Sequence, residues 1–182
     1  MKRSTVPGLI VAAYGPFGRF KTNPALELAN EIVQAVEVLP VSYHSVDQWL
    51  EGLAAREWSR LLVLGVHGST RDVRLETQGR NFVGETPDIE GVVKGPGLIE
   101  GDGPSACRAT LWRDKRFRAI EKRWIFGRNA GPYLCNYVLY RSLRLFPGKD
   151  IGFVHVASFD HVPKAEQLVA LAQLFDLVEA LK

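Results

Sequence analysis

The chain is poor in the residues that would tie it to a secreted or membrane setting. Its 182 residues include two cysteines, Cys107 and Cys135, too few for the disulfide framework that staples small secreted domains. No Cys-x-x-Cys pair offers zinc ligands at finger-type spacing. No apolar run approaches the roughly 18 residues of a membrane span. The basic start, Met1-Lys2-Arg3, is followed by Pro7 and a short apolar run from Leu9 to Ala13, too short for a signal peptide with a cleavage site. Repeats, low-complexity linkers and domain boundaries are lacking too. Excess charge is small, with 23 Lys and Arg against 20 Asp and Glu leaving +3, and that alone does not make a nucleic-acid binder. Together these absences predict one soluble, cytoplasmic domain over residues 1–182, with neither membrane nor nucleic acid as partner.

What is present is an ordinary globular composition, 46% hydrophobic and 24% charged. A chain near this size loses about two-thirds of its surface on folding, so no covalent or metal staple is needed to explain its stability. The two cysteines are left with packing or chemistry to do. Basic residues crowd into Arg113-Asp114-Lys115-Arg116-Phe117-Arg118 and again at Lys122-Arg123, but Asp114 and Glu121 interrupt them. That pattern reads as the solvated face of a helix rather than a phosphate patch.

Apolar runs of strand length alternate with longer segments of helical period, the pattern of an α/β fold with a mainly parallel sheet. Strands are expected at Leu9 to Ala13, Val38 to Val41, Leu61 to Leu64, within Val73 to Asn81, at Trp124 to Phe126 and at Ile151 to Val156. Helices are expected from Pro24 to Val36, with Asn23 as N-cap and Pro24 in the first turn. Further helices fit Val46 to Glu57, Ala106 to Lys122, Tyr133 to Phe146 and Pro163 to Lys182. Leu61-Leu62-Val63-Leu64 is apolar at consecutive positions, as central parallel strands are. It runs into Gly65-Val66-His67-Gly68, where ligand sites of open α/β sheets lie. From Arg71 to about Gly103 regular structure is sparse, and so long a loop is more often functional than idle.

Cys135 lies where a helix can begin at Asn129 or Gly131. Its thiol would then stand near unpaired backbone N–H groups and the positive end of the helix dipole, which favours the thiolate. A small buried hydrophobe is the other reading of that cysteine. His155 ends an apolar strand, 20 residues after Cys135, and the next parallel strand can bring its imidazole beside the thiol; a core histidine satisfied by backbone is the alternative. Glu76 alone reads as a solvated acid. Only the three together suggest nucleophile, base and orienting carboxylate.

Several segments occur in the order found in pyroglutamyl peptidase I. They are Gly15-Pro16-Phe17-Gly18 with Asn23-Pro24, Glu76 with Asn81, Asp102-Gly103-Pro104, Ala130-Gly131-Pro132-Tyr133-Leu134-Cys135-Asn136 and Gly152-Phe153-Val154-His155. The chain resembles that family of cysteine peptidases from about Leu9 to Val156. The resemblance implies a three-layer α/β/α fold of the phosphorylase/hydrolase-like type with a twisted, mainly parallel central sheet. It implies removal of an N-terminal pyroglutamyl residue by a Cys135-His155-Glu76 triad through an acyl-enzyme, with no metal and no cofactor. Tyr14, Phe17, Tyr133 and Leu134 match positions that line the substrate slot. A lactam has no ammonium group, so its slot needs apolar walls and a few backbone partners rather than a carboxylate. The substrate is a peptide with a blocked N-terminus or a small amide.

The match has gaps. The family's active-site Arg beyond the Glu-to-Asn segment is replaced by Glu85 or Thr86, its Gln after the third strand by Val66, and its Gly-Gly-Arg continuation by Gly68-Ser69-Thr70-Arg71. Arg71, displaced by one position, is the candidate to restore the lost charge, and Cys107 stands at an aromatic family position as a packing residue. The chain is shorter than typical members between Asn23 and Leu61, which weakens the homo-oligomer that the resemblance implies. Two alternatives remain: a weakly active or inactive relative binding a small cyclic ligand or peptide end, and an interaction domain in which Cys135 and His155 are core residues.

Overall fold

The computed structural model describes residues 7–18, 21–119 and 124–181. Glu121, Lys122, Arg123, Lys182 and the first residues from Met1 to Arg3 lie outside the described set. The first strand, β1 (Leu9–Tyr14), is buried from Ile10 onward and stops at the Gly15-Pro16-Phe17-Gly18 turn, where Gly18 takes a φ of 54°. Asn23 then starts α1 (Pro24–Ile32): its Oδ1 accepts from the Ala25 N–H at 3.0 Å, and its Nδ2 donates to the Gly15 carbonyl at 3.0 Å. The Asn-Pro pair thus ties the strand-to-helix turn to the helix it opens. α1 buries Ala25, Leu28, Ala29 and Ile32, one stripe at helical spacing. It ends short of the expected Val36 because Val33 turns extended.

β2 (Glu37–Leu39) is followed by α2 (Tyr43–Ala54), which begins three residues before the expected Val46 because the Ser42 hydroxyl caps it, accepting from the Ser45 N–H at 3.2 Å. Next comes β3 (Arg60–His67). The expected strand from Val73 to Asn81 is split at Thr77 into β4 (Arg74–Glu76) and β5 (Gln78–Arg80). Thr77 turns aside to give both its N–H and its hydroxyl to the Gly127 carbonyl.

The expected helix from Ala106 to Lys122 is not what forms. Ala106–Arg108 is instead β6, paired antiparallel with β5, and a 3-10 turn follows at Leu111–Arg113. Trp112 has non-helical backbone angles there, and its indole N–H donates to the Glu76 carbonyl at 3.0 Å. Satisfying that carbonyl and filling the space over Gly152 place the ring on the sheet, and the helical period is interrupted. Asp114 then caps a short α3 (Arg116–Ala119). The remainder of that expected helix falls outside the described residues. The chain closes with β7 (Ile125–Gly127), α4 (Leu134–Leu145), β8 (Asp150–Ala157) and α5 (Lys164–Glu179).

Six strands make the main sheet in the order β2-β1-β3-β8-β4-β7. β2, β1, β3 and β8 are mutually parallel, whereas β4 runs antiparallel to β8 and carries β7 parallel to itself. The reversal follows from chain length: the short link between β3 and β4 holds no crossover helix, which a parallel return would need. α1 and α5 cover one face, over Val11, Leu62, Leu64, Val154 and Val156. α2 and α4 cover the other, over Ile10, Leu61, Val63, Ile151 and Phe153. The result is the expected three-layer α/β/α arrangement, with each core leucine or isoleucine contributing about 1.5–3 kcal/mol by burial. The chain goes from β1 to β2 on one side and from β2 back across to β3 on the other, so a cleft opens at the carboxyl ends of β1 and β3. Among the described residues no helix is long and apolar enough to cross a membrane.

Candidate active site

Strand alternation assigns the site to the α2/α4 face. On β8, Phe153 packs toward α2 and α4 while Val154 and Val156 pack toward α1 and α5, so His155 points with Phe153. On β4, Leu75 lies in the α1/α5 core, so its neighbours Arg74 and Glu76 point the other way. Register does the rest: His155 lies beside Gly65 of β3 on one side and Arg74 of β4 on the other, with Glu76 beside Phe153. Glu76 is fully buried and His155 is 2% exposed. Glu76 Oε1 lies 2.9 Å from His155 Nδ1.

Gly127, next to Glu76 on β7, makes room for this carboxylate, since a Cβ there would collide with Glu76 Oε2. Burial works against the ionised Glu76. The His155 hydrogen bond and charge, and the Arg74 guanidinium 3.3 Å from Oε1, outweigh it and hold the carboxyl below its ordinary value. An ionised carboxylate can only accept, so Nδ1 of His155 donates to it and Nε2 is the ring nitrogen that Glu76 does not engage.

Cys135 is the second residue of α4 and is brought to the same face. Gly131, with a φ of 84°, turns the chain into that helix, and the Gly84 N–H donates to the Pro132 carbonyl at 2.7 Å. Asn136 is wholly buried and clamps the start of α4 to the β5 segment: Oδ1 accepts from the Arg80 N–H at 2.8 Å, and Nδ2 donates to the Arg80 and Phe82 carbonyls. The thiol is thereby held over Gly65, where an added Cβ would lie 3.0 Å from Cys135 Sγ and 2.8 Å from Phe153 Cζ. The side chain that Gly65 lacks is the room the sulfur occupies.

The expectation that this helix start favours the thiolate is not met. The Cys135 backbone N–H does favour it, but burial, with the Glu76 charge added, pushes the thiol up to about 12. The site at neutral pH therefore holds Cys135 as a thiol, and among the described residues no hydrogen bond joins it to His155.

Tyr14, Phe17, Tyr133 and Leu134 line one small cavity together with Cys135. The Tyr14 hydroxyl donates to the Leu134 carbonyl at 2.8 Å, and the Tyr133 hydroxyl to the Pro87 carbonyl at 3.0 Å. Val66 stands in the wall where the family has Gln. The cavity measures about 20 Å³, room for about one water.

Glu85 and Thr86 are exposed, and Glu85 brings no negative charge into the buried cluster. Arg71 is exposed as well and does not restore the missing cation; Arg74 supplies one, through Glu76. The sequence reading missed Arg74, although its i, i+2 spacing to Glu76 on a strand puts both on one face. It also missed His67, whose ring meets His155 edge-on at 5.2 Å between centroids. Burial first, then the His155 and Arg74 charges, lower the His67 pKa. The long loop after β5 reaches the site through the Pro87 carbonyl, which accepts from the Tyr133 hydroxyl. Its far end is held by Asn81, whose Nδ2 donates to the Glu100 and Gly103 carbonyls.

The pyroglutamyl peptidase family model matches residues 8–174. A pyrrolidone-carboxylate peptidase of Staphylococcus haemolyticus is 29% identical over 164 residues, 81% of this chain and 77% of the relative. One from Streptococcus pneumoniae is 30% identical over the same shares. The crystal structure of pyrrolidone carboxyl peptidase from Thermus thermophilus superimposes with a TM-score of 0.79 at 25% identity, covering 92% of this chain and 98% of that one. With the match running through β1, β3, β4, α4 and β8, the strands and helix that carry the whole site, the chain belongs to the pyroglutamyl peptidase family.

Proposed function

We propose that this chain is a cysteine peptidase that removes an N-terminal pyroglutamyl residue from peptides, with Cys135 as nucleophile, His155 as general base and acid, and Glu76 as the group that orients His155. The observation that carries the reading is the 2.9 Å Glu76–His155 pair, set on the same sheet face as a thiol held over Gly65 in an apolar cavity. Because the thiol is protonated at neutral pH, the proton leaves as the attack occurs. Cys135 Sγ bonds to the pyroglutamyl acyl carbon while its proton passes to His155 Nε2. The oxyanion that forms is stabilised by unpaired N–H groups in the first turn of α4. Collapse breaks the C–N bond, and the imidazolium gives its proton to the departing amine. Water then attacks the thioester, transferring a proton to His155, and the acid leaves as the thiol is restored.

Tyr14, Phe17, Tyr133 and Leu134 supply the apolar walls for the lactam, whose ring needs more space than the present cavity. The wall must therefore yield on binding. Val66 in place of the family Gln points to a specificity shifted toward more apolar cyclic ends. Both cysteines are free thiols, which fits a reducing cytoplasm, and the two cores share one sheet, which supports reading the chain as a single domain.

The test is hydrolysis of a fluorogenic pyroglutamyl amide. Turnover should be abolished by iodoacetamide and fall at least about 10⁴-fold in Cys135→Ser, and alkylation of the free enzyme should accelerate from pH 7 through pH 10 as the thiol ionises. The small cavity and the absent thiol–imidazole bond favour a second reading, a relative that binds a cyclic end without turnover. Saturable binding of pyroglutamate with no hydrolysis in the wild type would select it.

A further inference from the structure

The face of the sheet opposite the thiol carries a larger cavity, about 600 Å³, lined by Thr77, Gln78, Trp112 and Phe126 and by four arginines, Arg108, Arg113, Arg118 and Arg128. We propose that this cleft is a binding site for a diphosphate group, separate from the peptidase site. The arginines arrive from four places, β6, the 3-10 turn, α3 and the loop after β7, so no single helix face explains their convergence. The local ladder fixes two of them. Gln78 lies opposite Arg108 in the β5–β6 pair, and its Nε2 donates to the Arg128 carbonyl at 2.9 Å. Arg118 lies over the Phe126 ring, 5.0 Å from its centroid, which orients that guanidinium at the rim.

Among the described residues none of the four forms an ion pair with a carboxylate, and no acidic residue lines the cavity. The nearby Arg116 shows the contrast: it is bound to Asp114 at 2.8 Å and does not line the cavity. Four arginines border one concave space without a carboxylate partner among the described residues, and a multiply charged anion seated there would accept forked hydrogen bonds from their guanidiniums. The volume exceeds what one phosphate needs, and four positive charges match a diphosphate better than a monoanion. The basic stretch from Arg113 to Arg118 keeps Arg113, Lys115 and Arg118 exposed, as expected of a solvated face, and Arg113 and Arg118 border the cleft together with Arg108 and Arg128.

The probe is inorganic pyrophosphate, titrated into the full chain at about 25 mM salt and followed by calorimetry and by indole fluorescence, since Trp112 forms part of the wall. One saturable site with a Kd near or below about 0.1 mM is expected, weakening as salt rises to about 200 mM because the contacts are charge-assisted. Arg108→Gln with Arg128→Gln should weaken binding at least about tenfold while pyroglutamyl turnover is unchanged. Arg113→Gln, on a separate exposed turn, provides a second variant if the double one fails to fold. ADP binding more tightly than pyrophosphate would identify a nucleotide as the source of the diphosphate; equal affinity would identify free pyrophosphate. Absence of saturable binding, or an unchanged Kd in correctly folded variants, overturns the site. So does a single-stranded oligonucleotide that displaces pyrophosphate with affinity growing with length, which would make the cleft part of a nucleic-acid surface.

Discussion

Glu76 and Thr77 are consecutive, yet they serve two regions with opposite character. Glu76 is fully buried, paired with His155 and reinforced by Arg74, on the sheet face that carries the thiol and its small apolar cavity of about 20 Å³. Thr77 lines an open cleft of about 600 Å³ where four arginine tips are exposed and carry no carboxylate partner among the described residues. A buried charge must be paired or it neutralises itself, so the first region carries its counter-charges within the chain and suits a neutral lactam. Exposed guanidiniums tolerate the lack of a partner because water solvates them, so the second region can leave its counter-charge to a ligand.

The largest way to break this contrast is to remove the buried carboxylate. Glu76→Gln should lower kcat/KM on a pyroglutamyl amide by about 10³–10⁴-fold, because the amide no longer dictates which nitrogen of His155 carries the proton. Pyrophosphate binding on the other face should stay within about twofold, since the variant leaves the Glu76 carbonyl and its bond from Trp112 in place. Turnover close to wild type would remove Glu76 from the mechanism. A smaller effect is expected from Gly65→Ala, whose new methyl would crowd Cys135 Sγ and the Phe153 ring. Displacing the sulfur by a few tenths of an ångström to about 1 Å should cost about 10²-fold in kcat with the fold retained. An unchanged kcat, measured beside an unchanged circular dichroism spectrum, would show that the thiol does not act from its place over Gly65.

The contrast also marks what a single sequence could convey. The strands from Leu9 and Leu61, the Asn23-Pro24 helix start and the helix after Tyr133 carry local signals: consecutive apolar residues, a cap, a proline. They form where the pattern puts them. The segment from Ala106 to Lys122 has a helical pattern, but long-range partners override it. Pairing of Cys107 with Gly79 makes a strand, and the Trp112 bond to Glu76 pulls the next turn onto the sheet. The triad positions were legible through family order, whereas Arg74 and His67 were not, because only strand register brings them to His155. The thiol's protonation was also out of reach, since a helix start is visible in sequence and the burial that outweighs it is not. The arginine cleft stayed hidden for the same reason as Arg74: its members meet only in space.

The finest probe of the difference between the two regions is Arg74→Gln, because Arg74 is the paired counterpart of the four unpaired arginines. Its side chain is 23% exposed and its Nε is 3.3 Å from Glu76 Oε1. Removing it should cost about 1 kcal/mol at pH 7, the low end for a partly buried ion pair that keeps its other partner, and reduce kcat only a few-fold. The pH dependence separates this from a packing loss. Glu76 has a folded pKa below its unfolded value, so its pairing stabilises fully above the ordinary carboxylate range and ceases to as pH falls through the lowered folded value. Without Arg74 that folded value rises, so the stability gap between wild type and variant should be full at pH 7 and shrink as pH falls below about 4. The acid limb of kcat/KM should move to higher pH over the same interval. Thermal melts that differ equally at pH 7 and pH 3, with an unmoved acid limb, would show that Arg74 supports the site by packing alone.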